Sequence, residues 1–372
     1  MKPEFYTISK KQIFSILQSG LKTHRLFAPM PRKQYFSFEE IKDKSDFQKI
    51  AFEYDTTILP PKKVFMPSEE VMFKYYDGKI TEPKQDKPAL LFGVHPADIY
   101  GILQLDEIMT NPKPDYYYLR RRQNAIIIGV SPANHSTDFS AKWGVAENLE
   151  TMAEFDIFLK NKGGDNYLAI AGTKKGADIL KKAKAKKTDK KALAEIEKSK
   201  AAKTPAEAVK IYDQDILKKA VIASRTSNPR TQRAEQSSHD GKIWDELEKI
   251  CMGCGICTYV CPLCYCFDVE DQTDYSIRST DSGLSTGACS RCRKWDACTL
   301  PTFSEIAGGK NFRPALKNRY FNWYFHKFAR GLEEYGQAQC VGCGRCSKFC
   351  PAGINVENVL DKIIEEYNGK SI

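Results

Sequence analysis

Cys251-Met252-Gly253-Cys254-Gly255-Ile256-Cys257-Thr258-Tyr259-Val260-Cys261-Pro262 decides how this chain is read. The same spacing recurs at Cys340-x2-Cys343-x2-Cys346-x3-Cys350-Pro351. A C-x2-C-x2-C-x3-C-P run is the ligand pattern of bacterial ferredoxins that carry [4Fe–4S] clusters. Three thiolates on one tight loop can wrap three irons of a cubane. The glycines among them (Gly253, Gly255, Gly342, Gly344) let the backbone approach the cluster sulfides. The fourth cysteine leaves on the outgoing helix, and in two-cluster ferredoxins it ligates the other cluster. The runs therefore predict crossed ligation. Cluster A takes Cys251, Cys254, Cys257 and Cys350; cluster B takes Cys340, Cys343, Cys346 and Cys261. Zinc sites use C-x2-C pairs set a dozen or more residues apart, not triplets.

Between the two runs stand five more cysteines: Cys264, Cys266, Cys289, Cys292 and Cys298. Free thiols beside iron–sulfur clusters are an oxidative liability, so a third cluster is expected. Cys264, Cys266 and Cys298 would supply three ligands. The fourth is Cys289 or Cys292, and the spacing does not choose between them. The bland alternative is core thiols, or a zinc half-site at Cys289-x2-Cys292. All 13 cysteines lie between positions 251 and 350, and residues 1–250 have none. The start, Met1-Lys2-Pro3-Glu4-Phe5-Tyr6, lacks a basic region followed by an apolar one. A cytoplasmic, reducing setting is expected, where structural disulfides are rare.

The 372 residues are 42% apolar and 28% charged, which suits two globular domains, and no apolar run approaches membrane-spanning length. The net charge of +10 is uneven: residues 174–203 hold twelve lysines against four acidic residues. This stretch has no aromatic residue, so it reads as a solvated helical insert and not as a nucleic-acid surface. Residues 1–50 read as short helices and loops, with an amphipathic face over 10–18. Leu59-Pro60-Pro61-Lys62-Lys63 is a break. The apolar runs at 89–94, 125–130 and 167–172 read as buried strands, and 98–106 as the helix after the first. Thr204-Pro205-Ala206-Glu207 has the form of a capping box, and 224–240 of a linker. The expected fold is mixed α/β: an N-terminal α/β docking domain over 1–235, then an α-helical ferredoxin-type domain over 236–372.

Three further stretches sharpen the reading. Cys261-Pro262-Leu263-Cys264-Tyr265-Cys266-Phe267-Asp268-Val269-Glu270-Asp271, Lys294-Trp295-Asp296-Ala297-Cys298 and Ala307-Gly308-Gly309-Lys310-Asn311-Phe312-Arg313-Pro314 resemble the beta subunit of cytoplasmic sulfhydrogenases. They are equally similar to the iron–sulfur subunit of anaerobic sulfite reductase. The resemblance continues upstream through 58–63, 92–99 and 116–130, and omits the lysine-rich stretch. It implies an electron-transfer subunit working between a flavin-containing, NAD(P)H-oxidising partner and a catalytic hydrogenase or sulfite reductase subunit. FAD would then sit on the partner. The resemblance departs at 131–140, where relatives often carry cysteines and this chain has none.

Other candidates are weaker. His95 reads as a satisfied buried histidine and His326 as part of a packed helix. Arg120-Arg121-Arg122 reads as a solvated cluster, and Trp295 as a shield for a neighbouring cluster. There is no G-x-G-x-x-G after a strand and no G-x4-G-K-[ST]. No catalytic constellation stands out, so no catalytic residue is assigned. Two readings compete with the relay: a free-standing iron–sulfur flavoenzyme, and an iron–sulfur redox sensor acting on nucleic acid.

Overall fold

A computed structural model describes residues 2–76, 78–84, 86–132, 139–145, 155–192, 194, 211–224, 242–274 and 288–370. The chain divides into two compact units. One comprises Met1–Phe65, Asp86–Ile211 and Val341–Cys343; the other comprises Met66–Gln85, Tyr212–Cys340 and Gly344–Ile372. The single boundary expected near 235 falls outside the described residues, as do the capping box at 204–207 and the linker from 225. In its place the chain passes between the units several times.

The strands in chain order begin with β1 (Glu4–Ser9), β2 (Arg25–Arg32), β3 (Tyr35–Ile41), β4 (Glu69–Tyr76) and β5 (Lys79–Thr81). There follow β6 (Ala89–Val94), β7 (Ile126–Val130), β8 (Ile157–Gly163), β9 (Asn166–Ala171) and β10 (Lys186–Thr188). The last are β11 (Phe267–Asp274) and β12 (Ala288–Trp295). In the first unit eight of them form a sheet in the order β10-β1-β9-β8-β7-β6-β2-β3. Its centre, β2-β6-β7-β8, is parallel, and the pairs toward either edge are antiparallel. β6 and β7 are buried at every residue, as strands covered on both faces must be.

Residues 1–50 differ from expectation: they hold β1, the helix Lys10–Gly20, β2 and β3. The two prolines of Arg25-Leu26-Phe27-Ala28-Pro29-Met30-Pro31-Arg32 argue against a strand. They are tolerated because β6 pairs with β2 only from Arg25 to Phe27, which leaves that side of Pro29 and Pro31 without a ladder partner. The helix Lys10–Gly20 opens with a capping box: Gln12 N donates to Ser9 Oγ at 3.3 Å, and Ser9 N donates to Gln12 Oε1 at 2.9 Å.

The lysine-rich stretch is also corrected in part. Residues Lys174–Lys182 form a helix that buries Ala177 and Leu180, and β10 pairs with β1 as the edge strand of the sheet. Its lysines are exposed because they occupy the outer face of an element whose inner face belongs to the core. This half is part of the sheet layer and not a loose insert. Residues 195–203 lie outside the described residues.

The second unit carries the helices expected of the C-terminal region, with a four-stranded antiparallel sheet, β11-β12-β4-β5, in addition. Nothing in the C-terminal sequence suggests this sheet, because its partner strands arrive from residues 69–81. Charges hide the alternation: Arg291 Nε donates to Asp271 Oδ1 at 2.8 Å, and Lys294 pairs with Glu270 across the hairpin. At the centre, Arg293 Nε donates to Glu70 Oε1 at 2.7 Å, with both side chains buried. The helical part packs around Trp244, whose ring meets Tyr324 at 5.2 Å and Tyr320 at 6.3 Å. The helix Leu316–Phe325 runs into a π-helical turn at His326–Arg330, then into the short helix Gly331–Tyr335. Among the described residues no helix is long and apolar enough to cross a membrane.

Candidate metal centre

Both motifs adopt one local shape. Gly255 (φ 78°) precedes the one-turn helix Ile256–Tyr259, and Gly344 (φ 69°) precedes Arg345–Lys348. Left-handed backbone at these points favours glycine. A Cβ on Gly255 would stand 2.8 Å from Ala297 Cβ. Amide groups turn toward sulfur in the first motif: Gly253 N lies 3.4 Å from Cys251 Sγ, and Leu263 N lies 3.4 Å from Cys261 Sγ.

The helical part of the second unit contains a recess of about 450 Å³, open to solvent, whose wall includes Cys251, Cys254, Cys257 and Cys350. These are the four thiols that the spacing assigns to cluster A. Cys346, assigned to cluster B, also reaches this wall, beside Tyr320 and Trp323. Burial pushes the Cys257 thiol up to about 12, with Cys251 and Cys254 adding to the shift. Burial likewise raises Cys251, and Cys350 contributes. Thiols that oppose each other's ionisation suit a centre whose metal charge offsets that repulsion. No three His, Cys, Asp or Glu side chains among the described residues are arranged to hold a single metal ion. The donor set, three thiols of one C-x2-C-x2-C run with a fourth from a distant C-P cysteine, is that of a [4Fe–4S] cluster and not the paired C-x2-C set of zinc.

The remaining thiols fall into three places. Cys264 is raised first by its hydrogen bond with Cys261 and then by burial. Cys266 is raised first by its hydrogen bond with Cys298, then by burial. Cys264, Cys266 and Cys298 thus lie on one stretch of connected thiols that begins at Cys261. Cys289 and Cys292 stand on β12, opposite Thr273 and Glu270 of β11. Cys292 is buried among sheet residues; burial raises it first, followed by Glu69 and Glu270. Cys343 belongs with the first unit, where Phe139 N donates to the carbonyl of neighbouring Gly342 at 2.8 Å.

One functional side chain escaped the sequence reading. Lys327, on the π-helical turn, is 4% exposed and places Nζ 3.2 Å from Cys261 Sγ. The same Nζ donates to the Gln339 carbonyl at 3.0 Å. Burial opposes its charge, yet Cys261, Cys264 and Cys340 hold its ionisation well above the usual lysine range. The available signal was a single lysine inside the aromatic run Trp323-Tyr324-Phe325-His326-Lys327-Phe328. Arg319 is similar: buried, with Nε donating to the Thr299 carbonyl at 2.9 Å, it favours the thiolate form of Cys251, against the burial that raises that thiol.

The weaker candidates resolve as follows. His95 is buried at the N-terminus of the helix Pro96–Thr110, its ring stacked on Tyr54 at 3.9 Å. Arg120 lies over the rings of Tyr116 and Tyr117, and Arg122 Nε pairs with Asp106 at 3.0 Å. Trp295 Nε1 donates to the Met66 carbonyl at 3.0 Å. His326 is driven down to about 4 by burial, then by Lys327 and Arg330, and its Nε2 lies 3.5 Å from the Tyr265 hydroxyl.

Four thiols from two distant motifs around one recess, with matching glycine turns, define an iron–sulfur protein of the two-cluster ferredoxin type. A family described as a 4Fe-4S dicluster domain matches residues 250–354. The chain is also 33% identical to sulfhydrogenase 2 subunit beta of Pyrococcus furiosus over 346 residues, 92% of each chain. It belongs to the sulfhydrogenase beta-subunit family.

Proposed function

We propose that this chain is the electron-relay subunit of a sulfhydrogenase-type complex. It stands between a flavin-containing, NAD(P)H-linked partner and a catalytic subunit. The observation that carries the reading is the recess lined together by Cys251, Cys254, Cys257 and Cys350. Iron–sulfur clusters, when bound, supply one-electron carriers whose potentials follow ligation, burial and hydrogen bonds to sulfur.

The chain's own residues do the rest. Cys251, Cys254, Cys257 and Cys350 hold cluster A; Cys340, Cys343, Cys346 and Cys261 hold cluster B. Cys264, Cys266 and Cys298 hold a third, with Cys289 or Cys292 as the fourth ligand. The Gly253 and Leu263 amides donate toward Cys251 and Cys261. Tyr320 and Trp323 keep water from the inner wall of the recess. No residue on the chain makes or breaks a substrate bond, and the flavin belongs to the partner.

Iron and acid-labile sulfide on anaerobically prepared protein test this. Three clusters give about 12 Fe per chain and two give about 8. The isolated chain should accept electrons from a strong reductant and leave NAD(P)H untouched until a flavin-bearing partner is added. Stoichiometric zinc, or NAD(P)H oxidation by the chain alone, overturns the reading.

A further inference from the structure

Lys327 is a cation buried away from any carboxylate partner: among the described residues no Asp or Glu forms an ion pair with it. An unpaired buried ammonium is strongly disfavoured, because its lost hydration must be replaced by hydrogen bonds and opposite charge. Two hydrogen bonds are visible, to Cys261 Sγ at 3.2 Å and to the Gln339 carbonyl at 3.0 Å. The nearest side-chain partner is sulfur: Cys261 Sγ accepts from Nζ. The indole of Trp323, with Nζ 5.2 Å from the ring centroid, covers the remaining side. The backbone is shaped for this placement. His326–Arg330 forms a π-helical turn, and π-turns inside α-helices rotate the side chains that follow them and recur at functional sites.

We infer that Lys327 is the fixed counter-charge of cluster B, holding Cys261 by hydrogen bond and favouring the reduced state of the centre that Cys261 and Cys340 ligate. The inference rests on the proposed ligand set. Its physics is simple. A centre ligated by thiolates is anionic, and one electron from a low-potential reductant adds one more negative charge. A buried ammonium in contact with a ligand sulfur interacts more favourably with the more negative state, and low-dielectric surroundings enlarge the difference. Lys327 acts through Cys261, which it holds by hydrogen bond, so it is a positioning and tuning residue.

The test compares Lys327→Met and Lys327→Arg with the wild-type chain, prepared anaerobically. Each is titrated against ambient potential while the reduced clusters are followed by electron paramagnetic resonance, with iron measured in parallel. Removing the charge should lower the reduced-to-oxidised ratio of one cluster at least tenfold at fixed ambient potential. That corresponds to 59 mV for a one-electron couple. The arginine variant, which keeps the charge, should stay within threefold of wild type. If Lys327→Met fails to load iron while Lys327→Arg loads it, the charge is required to hold the ligands, which also supports the inference. Wild-type potentials in Lys327→Met, equal shifts in both variants, or iron loss in both would overturn it. Wild-type protein that takes up no iron and sulfide would overturn the ligand reading itself, a separate outcome.

Discussion

Crossed ligation makes a counting prediction that few other arrangements share. Cys254 and Cys350 are separated by most of the cysteine-rich region, yet both line one recess with Cys251 and Cys257. If the four thiols hold one cluster, Cys254→Ala and Cys350→Ala each remove about four Fe. The double variant must then also remove about four, because both substitutions act on the same centre. If each motif holds its own cluster, the double variant removes about eight. This is a double-mutant cycle in which complete non-additivity is the signature of a shared site. The assay is iron and labile sulfide per chain on anaerobically reconstituted protein, with spectra to show which signal disappears. Cys254→Ala combined with Cys257→Ala serves as the control for two ligands of one motif. A loss of about eight Fe in the Cys254/Cys350 double variant, against four in that control, would refute crossed ligation. Alanine is preferable to serine here, because a serine oxygen can replace the lost ligand.

Three further outcomes follow from the geometry. Glu70→Gln removes the carboxylate charge that pairs with buried Arg293, and should cost roughly 3–5 kcal/mol in denaturant unfolding, whereas Glu70→Gln together with Arg293→Met should recover part of it. Leu180→Ala, at a fully buried position, should cost about 2–5 kcal/mol in the same assay; a cost near zero would restore the view of 174–182 as a dispensable insert. Burial holds His326 near 4, below the ordinary 6.5, so the unfolded chain binds the extra proton between those values. Stability should therefore fall as pH drops from about 6.5 to about 4, by roughly 3 kcal/mol over the window. His326→Gln should flatten that slope, as unfolding measured at pH 7 and pH 5 would show.

What could be read from the sequence was whatever local spacing encodes. The cysteine runs announce their chemistry within a dozen residues, and the strands at 89–94 and 125–130 announce themselves through unbroken apolar character. The third apolar run became β9, which pairs antiparallel with β8, a relation no single strand reveals. What stayed hidden depended on partners distant in the chain. β2 lay in a stretch read as short helices and loops, and Pro29 and Pro31 fit a strand there only because its pairing with β6 ends at Phe27. The β11-β12 hairpin lay in a region expected to be α-helical, and its sheet is completed by β4, which supplies Glu70 for Arg293 from far upstream.

Lys327 marks the same limit at the metal centre. The proposed ligand set follows from cysteine spacing, which a linear reading supplies. Potential is a property of what surrounds the ligands, and the tuning proposed for Lys327 depends on one π-helical turn that aims a lysine from an aromatic helix at Cys261. One residue more or fewer in that turn would rotate Nζ away from the sulfur while leaving every cysteine in place. The two levels are therefore separable. Variants of the cysteines should change how many irons the chain holds, and variants of Lys327 should change how readily the held cluster accepts an electron.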